Sequence, residues 1–151
     1  YMKIVYNLVE GNAPVINLET ERNLQQTISK LIELNLIKSS HDVSEGGIAS
    51  ALAECCVSHK DFPLGAKLDI PIKTREDFSL FSESQSRVII SVSPSKRNEV
   101  ENILSKQSVP YYFAGTVVRN DFTTNNSIDL SITKLSDIFY NTIPQKMNHE
   151  I

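Results

Sequence analysis

The 151-residue sequence has few of the features that mark disulfide-stapled or membrane-spanning proteins. Its two cysteines, Cys55 and Cys56, are adjacent on a predicted helix and point in different directions there. They therefore indicate neither a disulfide framework nor a zinc site. No secretory signal is present, and no apolar run approaches the roughly 18 residues that a membrane-spanning helix needs. These absences predict a reducing, cytoplasmic setting and no membrane partner.

An excess of charge of either sign is also missing. The sequence contains 15 basic and 18 acidic residues, for a formal net charge of −3. It therefore offers no basic surface for nucleic acid or for an anionic membrane. The hydrophobic content of 40% and the charged content of 22% are ordinary for a soluble globular domain. The length is sufficient for one well-packed core.

Apolar residues at helical spacing predict a helix over 18–36, with Asn17 as its cap and Glu19 and Glu21 placed favourably in its first turn. Further helices are predicted over 47–58, over 74–81 with Thr74 as cap, after Ser95, and after Thr133. Strand patterns cover 37–43, 66–72, 87–92 and 111–118. Of these, 87–92 is expected to be a central strand. A polar turn over 120–126 and a final hairpin strand over 128–132 complete the prediction.

This order favours an α/β fold of the α+β-like kind, with one mixed β-sheet covered by helices. Residues 1–16 are predicted to be a linker or N-terminal extension, with a short helix over 1–10 as the alternative. Residues 17–144 form the single predicted domain, and 145–151 form a flexible tail. The opening Tyr1-Met2-Lys3 suggests a piece of a longer polypeptide.

The stretch His41-Asp42-Val43-Ser44-Glu45-Gly46-Gly47 leads from a predicted strand into a predicted helix. Paired glycines permit backbone conformations and close approaches that a Cβ forbids. A helix that starts there presents unpaired N–H groups and a positive dipole end, which suit phosphate or carboxylate. The alternative is a tight turn capped by the hydroxyl of Ser44.

His41 and Asp42 each have a functional and a structural interpretation. His41 is either an acid, base or phosphate donor, or a hydrogen-bonded residue at a strand end. Asp42 either holds Mg²⁺ through a water molecule or caps the turn. On an extended strand the two side chains point to opposite faces.

The polar stretch Ser82-Glu83-Ser84-Gln85-Ser86-Arg87 precedes the predicted central strand. If the backbone is extended, Glu83 and Gln85 face the same way and can either orient a ligand or bond the loop backbone. Arg87 is expected to pair with Glu83 or to bind a phosphate with two hydrogen bonds. The alternative is a solvated surface loop.

Two stretches of the sequence resemble motifs of the C-terminal domain of the phosphoribosylformylglycinamidine synthase family. The first is His41–Gly47 with the following Ala51-Leu52-Ala53-Glu54, and the second is Leu80–Val88. The resemblance implies an AIR-synthase-related C-terminal domain with partial ferredoxin-like topology. It also implies a purine-pathway ligase that uses ATP and Mg²⁺, binds a ribonucleotide substrate, and works with its preceding domains and with a glutaminase subunit or domain.

The resemblance places a nucleotide- or phosphate-binding role on His41, Asp42, Ser44, Glu45, Gly46 and Gly47. It places substrate or nucleotide binding on Ser82, Glu83, Ser84, Gln85 and Arg87. It assigns no catalytic and no metal-ligating residue to this chain. Whether the chain lines the catalytic cleft or a structural nucleotide cleft stays open. Other superfamily members, such as aminoimidazole ribonucleotide synthase or selenophosphate synthetase, and a non-catalytic interaction domain are the alternatives.

Overall fold

The computed structural model describes residues 2–72, 75–125 and 127–148. Its helices are α1 (Met2–Tyr6), α2 (Leu18–Glu33), α3 (Gly47–Val57), α4 (Glu76–Phe81), α5 (Arg97–Lys106) and α6 (Ile132–Asn148). Its strands are β1 (Ser39–Asp42), β2 (Gly65–Leu68), β3 (Val88–Ser91), β4 (Gly115–Val118), β5 (Asp121–Thr124) and β6 (Ile128–Ser131). The predicted α/β class with mixed strand pairing is confirmed. Across the described ranges, no helix has the length and apolar character to cross a membrane.

The chain divides into two compact units, and its strands form two sheets rather than one. The first unit contains the residues up to Ala51 together with Phe81–Phe113. The second contains Leu52–Leu80 and the residues from Ala114 onward. The sequence carries no marker for this division, because two of the division points fall inside helices, at Ala51 in α3 and at Phe81 in α4.

The first unit is organised around α2. Asn17 caps this helix as predicted, because the Thr20 N–H donates to Asn17 Oδ1 at 2.9 Å. Helical spacing then buries Leu24 and Leu31 on one face. They form one apolar cluster with Leu36, Val100, Leu104 and Val109. Burying one such side chain contributes roughly 1.5–3 kcal/mol, so this cluster stabilises the unit.

Strands β1 and β3 pair antiparallel in the first unit, with Asp42 opposite Val88. Val88 and Ile90 pack against the apolar cluster, which accounts for the β-branched character of 87–92. The prediction of a central strand is wrong, since β3 has β1 as its one strand partner within the described residues and is half-buried throughout. An apolar strand pattern reports burial and does not report how many strands lie beside it.

The second unit contains a four-stranded sheet in the order β4-β2-β5-β6. β2 runs parallel to β5, while the β2–β4 and β5–β6 pairs are antiparallel. Phe122 is 2% exposed and is the largest fully buried side chain of the described residues. Tyr140 of α6 donates its hydroxyl hydrogen to the Val57 carbonyl at 2.7 Å. The sheet and α6 thus supply most of the ordered structure of this unit.

The predicted polar turn over 120–126 is wrong, because β5 occupies Asp121–Thr124. Its alternate residues Phe122 and Thr124 are buried, and it pairs on both sides, with β2 and with β6. These tertiary pairings stabilise a strand whose composition favours a turn. The turn residue is Asn125, whose side chain accepts from Ile70 N–H at 2.8 Å and donates to Ile70 O at 2.7 Å.

Several predicted element ends also differ from the structure. Ser95 lies inside a 3-10 turn (Pro94–Lys96) and does not cap α5, which follows Lys96. Thr133 lies inside α6, where Ser131 Oγ instead accepts from the Lys134 N–H at 3.3 Å. The predicted cap Thr74 lies outside the described residues.

The two ends of the described chain are helical. Residues 2–6 form α1, one of the two predicted alternatives for the first ten residues. At the other end, α6 continues past Pro144 to Asn148, where the sequence predicts a tail. Of the strand predicted over 111–118, the part from Gly115 forms β4.

Candidate functional site

The two polar stretches of the sequence meet in the first unit. We call Ser44–Gly47 the glycine turn and Ser82–Arg87 the serine loop. The Gly46 N–H donates to Glu83 Oε1 at 2.9 Å, across 37 positions of sequence. The Val43 N–H donates to the Arg87 carbonyl at 3.0 Å, which ties the other ends of the two stretches together. The structure therefore assembles one polar cluster from both predicted site segments.

The glycine turn requires glycine for two reasons. Gly46 and Gly47 have φ of +75° and +69°, a region that residues with a Cβ rarely adopt. A Cβ on Gly47 would also lie 2.6 Å from the carbonyl carbon of Phe81 and 2.7 Å from Ser82 O. The turn is closed by the Gly47 N–H, which donates to the Ser44 carbonyl at 3.2 Å. The glycines thus allow the serine loop to lie directly against the start of α3.

The carboxylate of Glu83 sits where an anion is expected, at the N-terminal end of α3. A negative charge there interacts favourably with the helix dipole, and its hydrogen bond to a backbone N–H is charge-assisted. The N–H groups of Gly46 and Gly47 are both used within the protein. A phosphate that binds at this helix end must therefore replace Glu83 or use N–H groups further along α3.

Arg87 organises the serine loop from its far end. Its Nε donates to the Ser84 carbonyl at 3.1 Å, and its Nη2 donates to the Ser82 carbonyl. The guanidinium is half-buried beside Tyr112, and this burial lowers the pKa of Arg87 and raises that of Tyr112. The carboxylate of Glu83 is bonded to Gly46 instead. Arg87 therefore shapes the loop backbone, a role that the sequence does not predict for it.

Glu21 belongs to this cluster although it lies outside both stretches. Its Oε2 accepts from Ser86 Oγ at 2.6 Å, and its Oε1 accepts from Gln25 Nε2 at 2.6 Å. These hydrogen bonds, that of Ser86 first, lower the pKa of the Glu21 carboxyl group. From the sequence, Glu21 is predicted only to interact favourably with the dipole of α2. Its hydrogen bond to Ser86 spans 65 positions, and no local sequence pattern predicts such a contact.

A pocket of about 210 Å³ lies beside the serine loop. It is lined by Val15, Ile16, Asn17, Thr20, Ser84, Gln85 and Ser86. The backbone bends at Gln85 and Ser86, and Ser86 has φ of +61°. The extended backbone assumed for the loop is therefore absent there. Glu83 contacts the glycine turn, whereas Gln85 borders the start of α2.

His41 and Asp42 lie at the end of β1. His41 Nδ1 is 2.6 Å from the Asp42 carbonyl oxygen and 4.0 Å from an Asp42 carboxylate oxygen. The first contact is the hydrogen-bonded strand end that the sequence offers as one alternative. The Asp42 side chain is 78% exposed, and Ser44 and Glu45 are exposed as well. These three side chains are accessible to a ligand.

The described residues offer little for metal or thiol chemistry. Among them, no three His, Cys, Asp or Glu side chains lie close enough to hold a metal ion. Cys55 and Cys56 are free thiols in α3. Burial raises the pKa of both, that of Cys56 to about 11, whereas a nucleophilic thiol needs a lowered pKa. The hydroxyl, amide and carboxylate groups of the cluster are those of a polar binding surface.

Comparison with known proteins identifies relatives over most of the chain. The family model described as AIR synthase related protein, C-terminal domain, matches residues 1–124. The phosphoribosylformylglycinamidine synthase subunit PurL of Caldanaerobacter subterraneus is 40% identical over 97% of this chain and 20% of its own length. The subunit of the same name from Prochlorococcus marinus is 36% identical over the whole of this chain and 20% of its own length. The chain thus spans about a fifth of the length of these relatives.

Solved structures of Thermotoga maritima PurL have the same fold. The complex with FGAR matches 89% of this chain and 24% of its own, with a TM-score of 0.71 and 21% identity. The complex with ATP matches 84% of this chain and 23% of its own, with a TM-score of 0.70 and 22% identity. At these identities the likeness establishes the fold and leaves the ligands of this chain to be inferred.

Proposed function

This chain belongs to the AIR synthase related protein, C-terminal domain family, and we propose that it is the C-terminal domain of a phosphoribosylformylglycinamidine synthase. Its similarity to two PurL subunits supports this assignment. Such an enzyme uses ATP to activate the amide oxygen of formylglycinamide ribonucleotide. Ammonia derived from glutamine then replaces that oxygen, and the products are an amidine, ADP and phosphate. The setting of this pathway enzyme is cytoplasmic.

The role that we infer for this chain is to line a nucleotide- or phosphate-binding cleft together with a preceding domain. The observation that carries this inference is the hydrogen bond between Gly46 and Glu83, which joins the glycine turn to the serine loop. Asp42, Ser44 and Gln85 are exposed and lie in the same unit of the fold. Two segments that both carry ligand-type groups thereby form one surface.

The side chains of this surface are suited to binding and orientation. Ser82, Ser84 and Gln85 offer hydroxyl and amide groups that both donate and accept hydrogen bonds, as ribose hydroxyls and phosphates require. Glu83 and Arg87 hold the backbone that presents them. We assign no bond-making step to these residues, and the isolated chain is expected to have no turnover.

The proposed Mg²⁺ would bind at this surface only together with the nucleotide, whose phosphates would supply some of its ligands. Magnesium ions in nucleotide sites are usually held by one or two carboxylates, by waters and by the phosphates themselves. Asp42 is the exposed carboxylate next to the glycine turn and suits contact through a water molecule. The other ligands would come from the nucleotide and from the preceding domains. Ammonia would come from the glutaminase subunit or domain.

The test is steady-state kinetics of the complete synthetase with Gln85→Ala. Gln85 is exposed, so its removal leaves the core intact while deleting an amide from the proposed surface. Losing hydrogen bonds to a polar ligand raises KM for that ligand by about tenfold. Gln26→Ala is the matched control, because Gln26 is an exposed amide on α2 outside the serine loop.

A raised KM for ATP or for the ribonucleotide would identify the ligand of the loop and would indicate that the loop lines the catalytic cleft. A Gln85→Ala enzyme with both KM values equal to those of Gln26→Ala would overturn the proposed binding role. Measurable amidine synthesis by the 151-residue chain alone would contradict the absence of a catalytic step.

A purely architectural role is the second candidate, and one contact favours it. Glu83 already accepts the Gly46 N–H, so the glycine turn is satisfied without a ligand. Glu83→Gln separates the two roles because it keeps an acceptor oxygen and removes the charge. An architectural role predicts unchanged KM values, whereas a ligand role predicts a changed KM for the anionic substrate or for ATP.

A further inference from the structure

Besides the backbone bond from Val43 to Arg87, the side chains of three loop residues anchor the serine loop, and the partner of one of them lies outside both motifs. Arg87 donates to the carbonyls of Ser82 and Ser84, and Glu83 accepts from Gly46. The third anchor is the Ser86 hydroxyl, which donates to Glu21 Oε2 at 2.6 Å. Gln85 lies at the bend of the loop, with the anchoring residue Glu83 before it in sequence and the anchoring residues Ser86 and Arg87 after it.

Ser86 is the point at which the loop needs support. Its φ of +61° lies in the left-handed region, which is uncommon for a residue with a Cβ. Such a conformation persists when the surrounding contacts hold it. The hydrogen bond to Glu21 is charge-assisted and short, and it is the contact that ties the Ser86 side chain to a helix.

The position of the Glu21 carboxylate is fixed by its place in α2 and by a second hydrogen bond. It lies in the first turn of α2, between the cap residue Asn17 and the buried Leu24. Its second oxygen accepts from Gln25 Nε2, so both carboxylate oxygens are held in place. The carboxylate is therefore oriented by the helix before it meets the loop.

The same helix end borders the pocket beside the loop. Asn17 and Thr20 line this pocket together with Ser84 and Gln85. A change in the Ser86 backbone would rotate Gln85 and alter the pocket. The Glu21 contact thus couples the orientation of a proposed ligand-binding amide to α2, which packs into the apolar cluster of the first unit.

We propose that Glu21 is a positioning residue for the proposed binding site: by accepting the Ser86 hydroxyl hydrogen, it holds the bend at Gln85 and Ser86 and so orients Gln85 toward the ligand. This inference rests on the proposed function of the serine loop. Glu21 itself contacts the loop and has no assigned contact with a ligand.

The experiment uses Glu21→Ala, Ser86→Ala and the double variant in the complete synthetase. Each single variant is expected to raise KM for the ligand of the loop by about five- to tenfold with kcat nearly unchanged. The double variant is expected to match either single variant, because both remove the same interaction. Glu21→Gln keeps an acceptor oxygen and is expected to restore KM nearly to the original value.

Glu19→Ala is the matched control, because Glu19 is an exposed acid in the same helical turn. Like Glu21→Ala, it removes one negative charge from the first turn of α2, but it leaves the hydrogen bond between Glu21 and Ser86 in place. Amide hydrogen exchange supplies the second readout: residues 82–87 should exchange faster in Glu21→Ala than in Glu19→Ala, while the rest of α2 stays protected. Equal exchange and equal KM in these two variants would overturn the positioning role.

Gln85→Ala separates failure of this inference from failure of the proposed function. If Gln85→Ala raises KM and Glu21→Ala does not, the positioning role is wrong and the binding role of the loop stands. If neither variant changes KM in a folded, active enzyme, both are wrong. A lowered melting temperature in Glu21→Ala with KM unchanged would show a role in stability alone.

Discussion

The two compact units both depend on close backbone approach, but they bring together different partners. In the second unit, a Cβ on Gly65 would meet the backbone of Asp121, and one on Gly115 would meet the backbone of Lys67. These glycines bring strands together. In the first unit, Gly47 brings the start of a helix against the serine loop, whose side chains are hydroxyls, a carboxylate, an amide and a guanidinium.

The partners of the backbone polar groups differ in the same way. In the second unit, the β2, β4, β5 and β6 backbones satisfy one another in a sheet. The serine loop has no such ladder within the described residues, and side chains of Glu83 and Arg87 bond backbone groups in its place. A single side-chain change can therefore reshape the loop without opening the core. In the sheet, by contrast, we expect a substitution to disturb the strands only when it disrupts their packing.

Of the substitutions that compare the two units, Gly47→Val is expected to lower the stability of the protein most. The new side chain meets the backbone of Phe81 and Ser82 and requires a φ of +69° from a β-branched residue. Together these effects should lower the free energy of unfolding by about 3 kcal/mol or more. Urea denaturation of the 151-residue chain measures it. Gly11→Val is the control, because Gly11 also has a positive φ but has open space around it. Equal losses in the two variants would contradict the packing role.

Gly65→Ala is expected to have the next largest effect, in the second unit. The added methyl group meets the backbone of Asp121, so β2 and β5 must move apart. We expect a loss of about 2 kcal/mol, and faster amide exchange in β2, β4 and β5 than in β1 and β3. Uniformly faster exchange across both sheets would show that the two units do not respond separately.

Thr124→Val is expected to have the smallest effect and the opposite sign. Thr124 is fully buried, and its Oγ1 is the one buried side-chain oxygen or nitrogen of the described residues without a hydrogen-bond partner. Valine has nearly the same shape and removes this hydroxyl, so stability should rise by about 1 kcal/mol. Thr123→Val, at a half-buried position next to it in β5, should change the melting temperature less. A lower melting temperature for Thr124→Val would reveal a partner for the hydroxyl.

Local patterns predict much of the first unit. The sequence alone predicts the cap at Asn17, the helical spacing of Leu24 and Leu31, and the paired glycines at the start of α3. These features depend on neighbours a few residues away. The same reasoning fails at β5, whose polar composition indicates a turn. Pairing with β2 and β6 outweighs that local preference.

The sequence by itself determines the family, through the glycine stretch and the serine loop, and it determines that α2 begins after Asn17. Only the tertiary structure decides that Glu83 bonds Gly46 and that Glu21 bonds Ser86. These bonds span 37 and 65 positions. They form because packed helices and strands bring distant backbone and side-chain groups within hydrogen-bond distance, and local propensity carries no information about that packing.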